Sequence, residues 1–259
     1  MRPGVWLICR KFGGPIFAAA LMLVAWQAAV ERELVPPFVI PAPSRIILAI
    51  VNNWPLLSTS TLFTLYEALA GLVIGFGSGL LGAVVFLRSQ LLRTALLPYA
   101  LVTNAVPIAV FAPIAIVYFG FGAASKIALV AILVFFPALL STFKGLSSID
   151  PMLVEMMDSL AAKRHQIFLM LRLPNALPYV MTSLRISVTL SLIGAIVGEF
   201  FGSAKGLGFV LTTQLQVLHM DVAWASMAIS AFLGIAGYVA VILLERVVLF
   251  WSPEFRRPV

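Results

Sequence analysis

Apolar blocks long enough to cross a lipid bilayer recur along the whole chain, and no other feature restricts its fold so tightly. They cover residues 12–30, 57–87, 94–119, 126–143, 177–200 and 222–250. A helix crossing the hydrocarbon core needs about 20 predominantly apolar residues. Composition agrees: 62% of residues are hydrophobic and 10% charged, against roughly 45–50% and about 25% in an average soluble domain. Lipid is the expected solvent for most of a chain whose mean hydropathy is +1.08. The expected fold is an all-α membrane protein with six transmembrane helices.

The first block comes directly after Arg10 and Lys11, as the core of a secretory signal does, but it outlasts the usual 7–15 apolar residues of such a core. The chain beyond it is itself membrane-embedded, so the block is read as a first membrane helix. Residues 31–55 then carry Pro36, Pro37, Pro41, Pro43 and Pro55. Proline removes backbone donors and blocks a continuous helix, which makes this stretch an extramembrane connector. The expected organisation is an N-terminal helix with its Pro-rich connector over 1–56, a transmembrane domain over 57–250, and a tail over 251–259.

The 17 Lys and Arg against 10 Asp and Glu give a net charge of +7. In a soluble protein that excess would suggest an acidic partner such as nucleic acid, but in a membrane protein its distribution matters more. With a cytoplasmic N-terminus, the inner side holds Arg2, Arg10, Lys11, Arg88, Arg93, Lys144, Lys163, Arg164, Arg172, Arg246, Arg256 and Arg257. The outer side holds Arg32, Arg45, Lys126 and Lys205. Twelve against four, with Arg185 inside a span and left uncounted, satisfies the positive-inside rule and places both termini in the cytoplasm, in a multi-pass protein of the cytoplasmic (inner) membrane.

Several chemistries find no support. One cysteine, Cys9, leaves no internal disulfide, and His165 and His219 lack metal-ligand spacing. The expectation is therefore no metal, no cofactor and no catalytic residue. Gly77-Ser78-Gly79-Leu80-Leu81-Gly82 fits a dinucleotide fingerprint but lies inside an apolar block with no preceding strand. Gly71, Gly75 and Gly79 recur every four residues, a spacing that lets another helix backbone come close. No Gly-Lys-Ser or Gly-Lys-Thr occurs, so the chain lacks the phosphate cradle of a P-loop ATPase.

The largest inner connection, 144–176, has helix-compatible composition. Asp150-Pro151 supplies an N-cap and a first-turn proline, and Leu153, Met156, Met157 and Leu160 recur at helical spacing. A second helical stretch, 164–171, is expected to stop before Pro174. Such a hairpin could receive a push from a soluble motor. Its residues, Glu155-Met156-Met157-Asp158-Ser159-Leu160-Ala161 and then Leu171-Arg172-Leu173-Pro174, resemble the EAA loop of binding-protein-dependent ABC importer permeases. Glu155, Leu171, Leu173 and Pro174 fall in register, whereas Met156, Met157 and Ala161 replace two alanines and a glycine. Glycine suits a positive backbone angle at the bend and alanine accepts one poorly, so either the bend differs or coupling is altered.

The resemblance extends from Pro36 onward and is strongest to the nitrate, sulfonate and taurine branch, which includes permeases for pyrimidine precursors of thiamine. It rests on Pro41-Ala42-Pro43-Ser44, Ala105-Val106-Pro107-Ile108-Ala109, Tyr118-Phe119-Gly120-Phe121-Gly122, Ser125-Lys126, Phe135-Phe136-Pro137, Ser183-Leu184-Arg185 and Gly206-Leu207-Gly208, in order. It implies a type I importer permease acting as a homodimer. It also implies a separate ATP-binding ABC subunit dimer docked on Glu155, Asp158, Ala161, Leu171, Leu173 and Pro174, and a periplasmic or lipid-anchored solute-binding protein outside.

Kinking prolines suit helices that face protein or a cavity, so Pro107, Pro137 and the neighbouring Asn104 are candidate pathway residues. Glu67, Arg185 and Glu199 are charges at membrane depth. Arg185 is read as a structural anchor or ion-pair partner rather than a substrate contact, and Glu199 as part of the gate or of the docking face for a binding protein. Trp26, Trp54, Trp224 and Trp251 fall near span ends, where such rings anchor in the headgroup layer. The competing reading, an ion-coupled secondary transporter acting without an ATPase, calls for inverted repeats and midplane charges, and no repeat is found.

Overall fold

The computed structural model describes residues 3–36, 38–103 and 106–250, and it is helical in character throughout, with no strand among the described residues. In chain order the helices are α1 (Pro3–Glu31), α2 (Pro43–Asn52), α3 (Trp54–Arg88), α4 (Gln90–Thr103), α5 (Ile108–Phe119) and α6 (Ala123–Ser147). They continue with α7 (Pro151–Ser159), α8 (Arg164–Ile167), α9 (Leu173–Gly202), α10 (Leu207–Gln216) and α11 (Met220–Val248). Five segments among the described residues are long and apolar enough to cross a membrane: Gly13–Glu31, Trp54–Arg88, Ala123–Ser147, Arg164–Gly202 and Met220–Val248.

The expected block 94–119 is not one helix. It is divided between α4 and α5, each shorter than a bilayer crossing. The division falls at Pro107, the N-cap of α5, whose ψ of 131° is extended and whose ring supplies no N–H to continue α4. The connector likewise differs in detail, because it contains α2. Proline at position 43 occupies the first turn, where no donor is needed, so it starts this helix rather than preventing it.

The chain divides into two compact units interleaved in sequence. One takes the residues up to Ser58 with Val210–Ala228, and the other takes Thr59–Phe209 with the residues from Ile229 onward. In the first, Gln27 of α1 donates to Ser44 Oγ at 2.9 Å and accepts from the Ser44 N–H at 3.2 Å, tying α1 to the start of α2. Trp26 packs against Trp224 with ring centroids 5.5 Å apart.

In the second unit α6 lies at the centre, and its most extensive packing is against α9. The glycine stripe on α3 makes the third side. A Cβ built on Gly71, Gly75 or Gly79 would come under 3.0 Å from Val130, Ala131 or Phe135 of α6. This is the close backbone approach expected from the four-residue spacing. Ala68 and Leu72 of α3, Val130 and Val134 of α6, and Leu192 and Ala195 of α9 form the shared core. On α9 the face turned inward carries Ser183, Ser187, Ser191, Ala195 and Gly198, small residues three or four apart. Ser183 and Ser191 donate their hydroxyls to carbonyls three residues earlier in their own helix, at 2.9 and 2.8 Å, so these polar atoms are satisfied without a partner helix.

Candidate coupling surface and pathway residues

Helix α7 begins as its sequence dictates. The Asp150 side chain accepts from the Met152 N–H at 2.9 Å, and Pro151 occupies the first turn. No residue of α7 is buried. Glu155 and Asp158 are exposed on it, beside Met152, Leu153 and Met156, with Leu160 just past its end. Val154 and Met157 are only partly covered and the rest of this nine-residue helix is exposed, which leaves an apolar face of the kind that marks an interaction surface.

Ala161 takes φ +55, so the positive angle occurs here without glycine. The Ala162 N–H bonds to Met157 O at 3.0 Å and the Ala161 N–H to Asp158 O at 2.9 Å. That pair is the six-to-one and five-to-two pattern of a Schellman helix end, with Ala161 in the left-handed position. The chain therefore turns at Ala161 with a left-handed angle despite the alanine Cβ.

The second stretch does not stop before Pro174, contrary to expectation. It runs from α8 through a π-turn at Phe168–Arg172 straight into α9, with Pro174 in the first turn of α9. A proline in a helix clashes with the carbonyl four residues back, and the wider π-turn directly before it is the local adjustment that admits the ring. Leu171 lies half-buried in that turn, while Leu173 is 37% exposed at the start of α9.

This hinge is bolted to the end of α6. Arg172 donates to Leu146 O at 2.9 Å, and Asn175 donates to Gly145 O at 2.8 Å and to Ser148 O at 3.3 Å. These carbonyls belong to the unsatisfied last turn of α6, and a cationic side chain there complements the helix dipole. Phe168 packs beside the buried Ala83, Leu146 and Ala176. The stretch from Phe168 to Asn175 is therefore held to the end of α6 by hydrogen bonds and packing together.

The candidate pathway residues do not form one site. Asn104 lies outside the described residues, Pro107 caps α5 and is exposed, and Pro137 lies half-buried within α6. Glu199 is 1% exposed and turned into the protein. Its Oε1 accepts from the Thr64 hydroxyl at 2.7 Å and its Oε2 from the Gly208 N–H at 2.5 Å, while the Leu207 N–H donates to Thr64 at 2.9 Å. Glu199 thus ties the end of α9 and the start of α10 to α3. Arg185 meets expectation as an ion-pair partner, joined to Glu245 of α11 and lying 5.7 Å from the centre of the Tyr238 ring.

The family model for "Binding-protein-dependent transport system inner membrane component" matches residues 69–256, a stretch containing the exposed α7, the bend at Ala161 and the buried Glu199. The chain belongs to this family. It is the membrane permease component of an ABC importer. The permease is 31% identical over 245 residues to the formylaminopyrimidine transport permease protein ThiX of Halalkalibacterium halodurans, covering 93% of this chain and 96% of that one. It is 31% identical over 241 residues to the putative aliphatic sulfonates transport permease protein SsuC of Bacillus subtilis, covering 91% and 86%. A solved structure of an amino acid ABC transporter matches with a TM-score of 0.65 at 19% identity, covering 77% of the permease and 97% of that chain, which shows a shared fold.

Sequence reasoning named Glu67 and Glu199 as charges at membrane depth but left Lys126 and Thr64 out of the permease's polar cluster. Lys126, counted among the outer loop charges, is 1% exposed, and Glu67 and Thr64 are 4% and 0% exposed. The available signal was charge pairing. Glu67 and Glu199 are acids inside apolar blocks, and Lys126 opens another, so a buried partner for them was close at hand in composition, though not in sequence distance.

Proposed function

We propose that the permease carries a small sulfonate-, taurine-, nitrate- or pyrimidine-type solute and is driven through α7. The observation that carries this reading is the uncovered face of α7, capped at Asp150 and turned at Ala161, on a hinge bonded to α6 and α9. Glu155, Asp158 and Ala161, with Leu171, Leu173 and Pro174 behind them, form the surface that receives a dimer of ATP-binding subunits. ATP hydrolysis belongs to those subunits, consistent with the missing Gly-Lys-Ser or Gly-Lys-Thr.

In this reading two copies of the permease form the pathway, and a solute-binding protein delivers cargo from outside. α4 and α5 together make the third of six crossings, both termini are cytoplasmic, and residues 251–259 are a cytoplasmic tail. ATP binding closes the motors, draws the two α7 surfaces together and opens the pathway outward, and hydrolysis resets it. The solute classes are those named for the relatives and implied by the branch resemblance.

Purification of the tagged permease from its own membranes in mild detergent tests this. An ATPase subunit should accompany the wild type at about one copy per permease and be lost in Glu155→Arg, with the variant still folded and membrane-inserted. A permease that runs alone and moves solute without ATP would refute the reading in favour of an ion-coupled transporter.

A further inference from the structure

Three basic side chains stand at one level of the second unit, on three different helices. The contacts between α3 and α6 run in parallel register: Gly79 lies against Phe135, Gly82 against Leu139, and the Phe86 and Phe143 rings meet edge to face with centroids 6.1 Å apart. Arg88, the last residue of α3, therefore comes level with Lys144 in the last turn of α6. α4 runs back along α6, with Leu97 in the same cluster as Phe136 and Leu140. Arg93, in the first turn of α4, holds its guanidinium carbon 5.9 Å from the centre of the Phe143 ring.

Arg88 and Lys144 are exposed and Arg93 is half-buried. Among the described residues no carboxylate pairs with any of the three. The helices that carry them hold one acid, Glu67 of α3, roughly 30 Å from Arg88 along the helix at 1.5 Å per residue. A single exposed cation needs no partner but water, whereas three at one level with no acid beside them form a field that attracts an anion.

The neighbouring side chains decide the class of anion. Exposed Leu81 and Val85 precede Arg88 on one face of α3, and exposed Leu96 follows Arg93 by one turn on α4. Leu91 and Leu92, in the first turn of α4, are exposed as well. α3 and α6 are long and apolar enough to cross a membrane, so the level of the three cations is where hydrocarbon gives way to headgroups. A free phosphate would use the charges and leave the leucines bare. A phospholipid covers both.

We propose that Arg88, Arg93 and Lys144 form a binding site for the headgroup of an anionic phospholipid, whose acyl chains lie along the exposed leucines and valine of α3 and α4. The guanidinium groups offer paired N–H donors to the phosphodiester oxygens, and Lys144 adds a point charge beside them. Stacking on Phe143 keeps Arg93 at the headgroup level. Phe143 and Phe168 pack against the same buried residues, so the lipid is held by a ring that shares its packing with the hinge before α9. The assignment requires only that α3 and α6 cross the membrane, and it is independent of the solute and of the motor.

Native mass spectrometry of the full-length permease in mild detergent tests this, with phosphatidylglycerol and phosphatidylcholine of the same acyl chains added in equal amounts. The wild type should retain phosphatidylglycerol in preference. Each cation near an anionic membrane surface strengthens binding roughly fivefold, so Arg88→Gln, Arg93→Gln and Lys144→Gln combined should cut the preference at least about tenfold. Arg32→Gln, Arg45→Gln and Lys205→Gln combined remove the same charge elsewhere and should leave it standing. If the first triple variant does not assemble, Arg88→Gln with Lys144→Gln, both at exposed positions, should still cut the preference about tenfold. Equal retention of the two lipids by the wild type, equal losses in the two triple variants, or displacement of the lipid by an equal concentration of inorganic phosphate overturns the proposal. An unchanged preference in the variants of Arg88, Arg93 and Lys144 also overturns it, and loss of a co-purifying ATPase subunit from those variants would then make the patch a protein contact.

Discussion

Ala161 holds a left-handed backbone angle at a helix end where glycine is the usual occupant. An L-residue with a Cβ gives up about 1–2 kcal/mol in that conformation. Glycine would relieve it but would lose more freedom on folding, a penalty of roughly 0.5–1 kcal/mol. The net effect of Ala161→Gly should be a turn firmer by about 0.5–1 kcal/mol, seen as slower amide exchange over 160–163 by mass spectrometry. Faster exchange there would mean that the Cβ is supported by contacts rather than strained. In the Glu155→Arg experiment the decisive residue is likewise local: an exposed acid on an uncovered helix can be reversed in charge without disturbing a core, so a lost partner reports on docking and not on folding.

At the scale of helices, the pair between Arg185 and Glu245 fastens α9 to α11 beside the buried Met181, Val241 and Leu249. The side chains are 28% and 6% exposed. Removing one partner of a buried pair costs about 3–5 kcal/mol because the other is left uncompensated. Arg185→Met should therefore lower stability by about 3 kcal/mol, the low end of that range because of its partial exposure, and should lower the detergent melting temperature accordingly. Arg185→Met with Glu245→Gln should recover most of the loss. Equal losses in the single and double variants would show that Arg185 acts elsewhere, for instance on solute. The hinge at the other end of α9 obeys the same logic. Its hydrogen bonds run from side chains to the last carbonyls of α6, so the start of α9 is fastened to the end of α6.

For the whole molecule, the distribution of basic residues makes a topological prediction. In a Cys9→Ser background, Ser203→Cys should react with a membrane-impermeant maleimide in intact spheroplasts, and Asp158→Cys only after lysis. The reverse pattern would invert the orientation and place α7 beyond the reach of a cytoplasmic motor. A result in which both react in intact cells would break the six-crossing arrangement, since α9 would then fail to supply the crossing that separates the two positions.

Much of this architecture was legible along the chain because lipid imposes a one-dimensional rule. A backbone that must satisfy itself in hydrocarbon becomes a helix wherever apolar residues run long enough, so the expected blocks at 57–87, 126–143, 177–200 and 222–250 reappear as α3, α6, α9 and α11. Local chemistry was equally readable: Asp150-Pro151 starts α7, and the glycines of α3 mark a close approach before its partner is known. The break at Pro107 and the π-turn before Pro174 were not readable, because a proline states only which bond is missing and not how neighbouring turns accommodate it. The polar cluster was hidden for a different reason. Glu67, Lys126 and Glu199 lie on three helices far apart in sequence, and only the packing of α3 and α9 on α6 takes all three out of solvent.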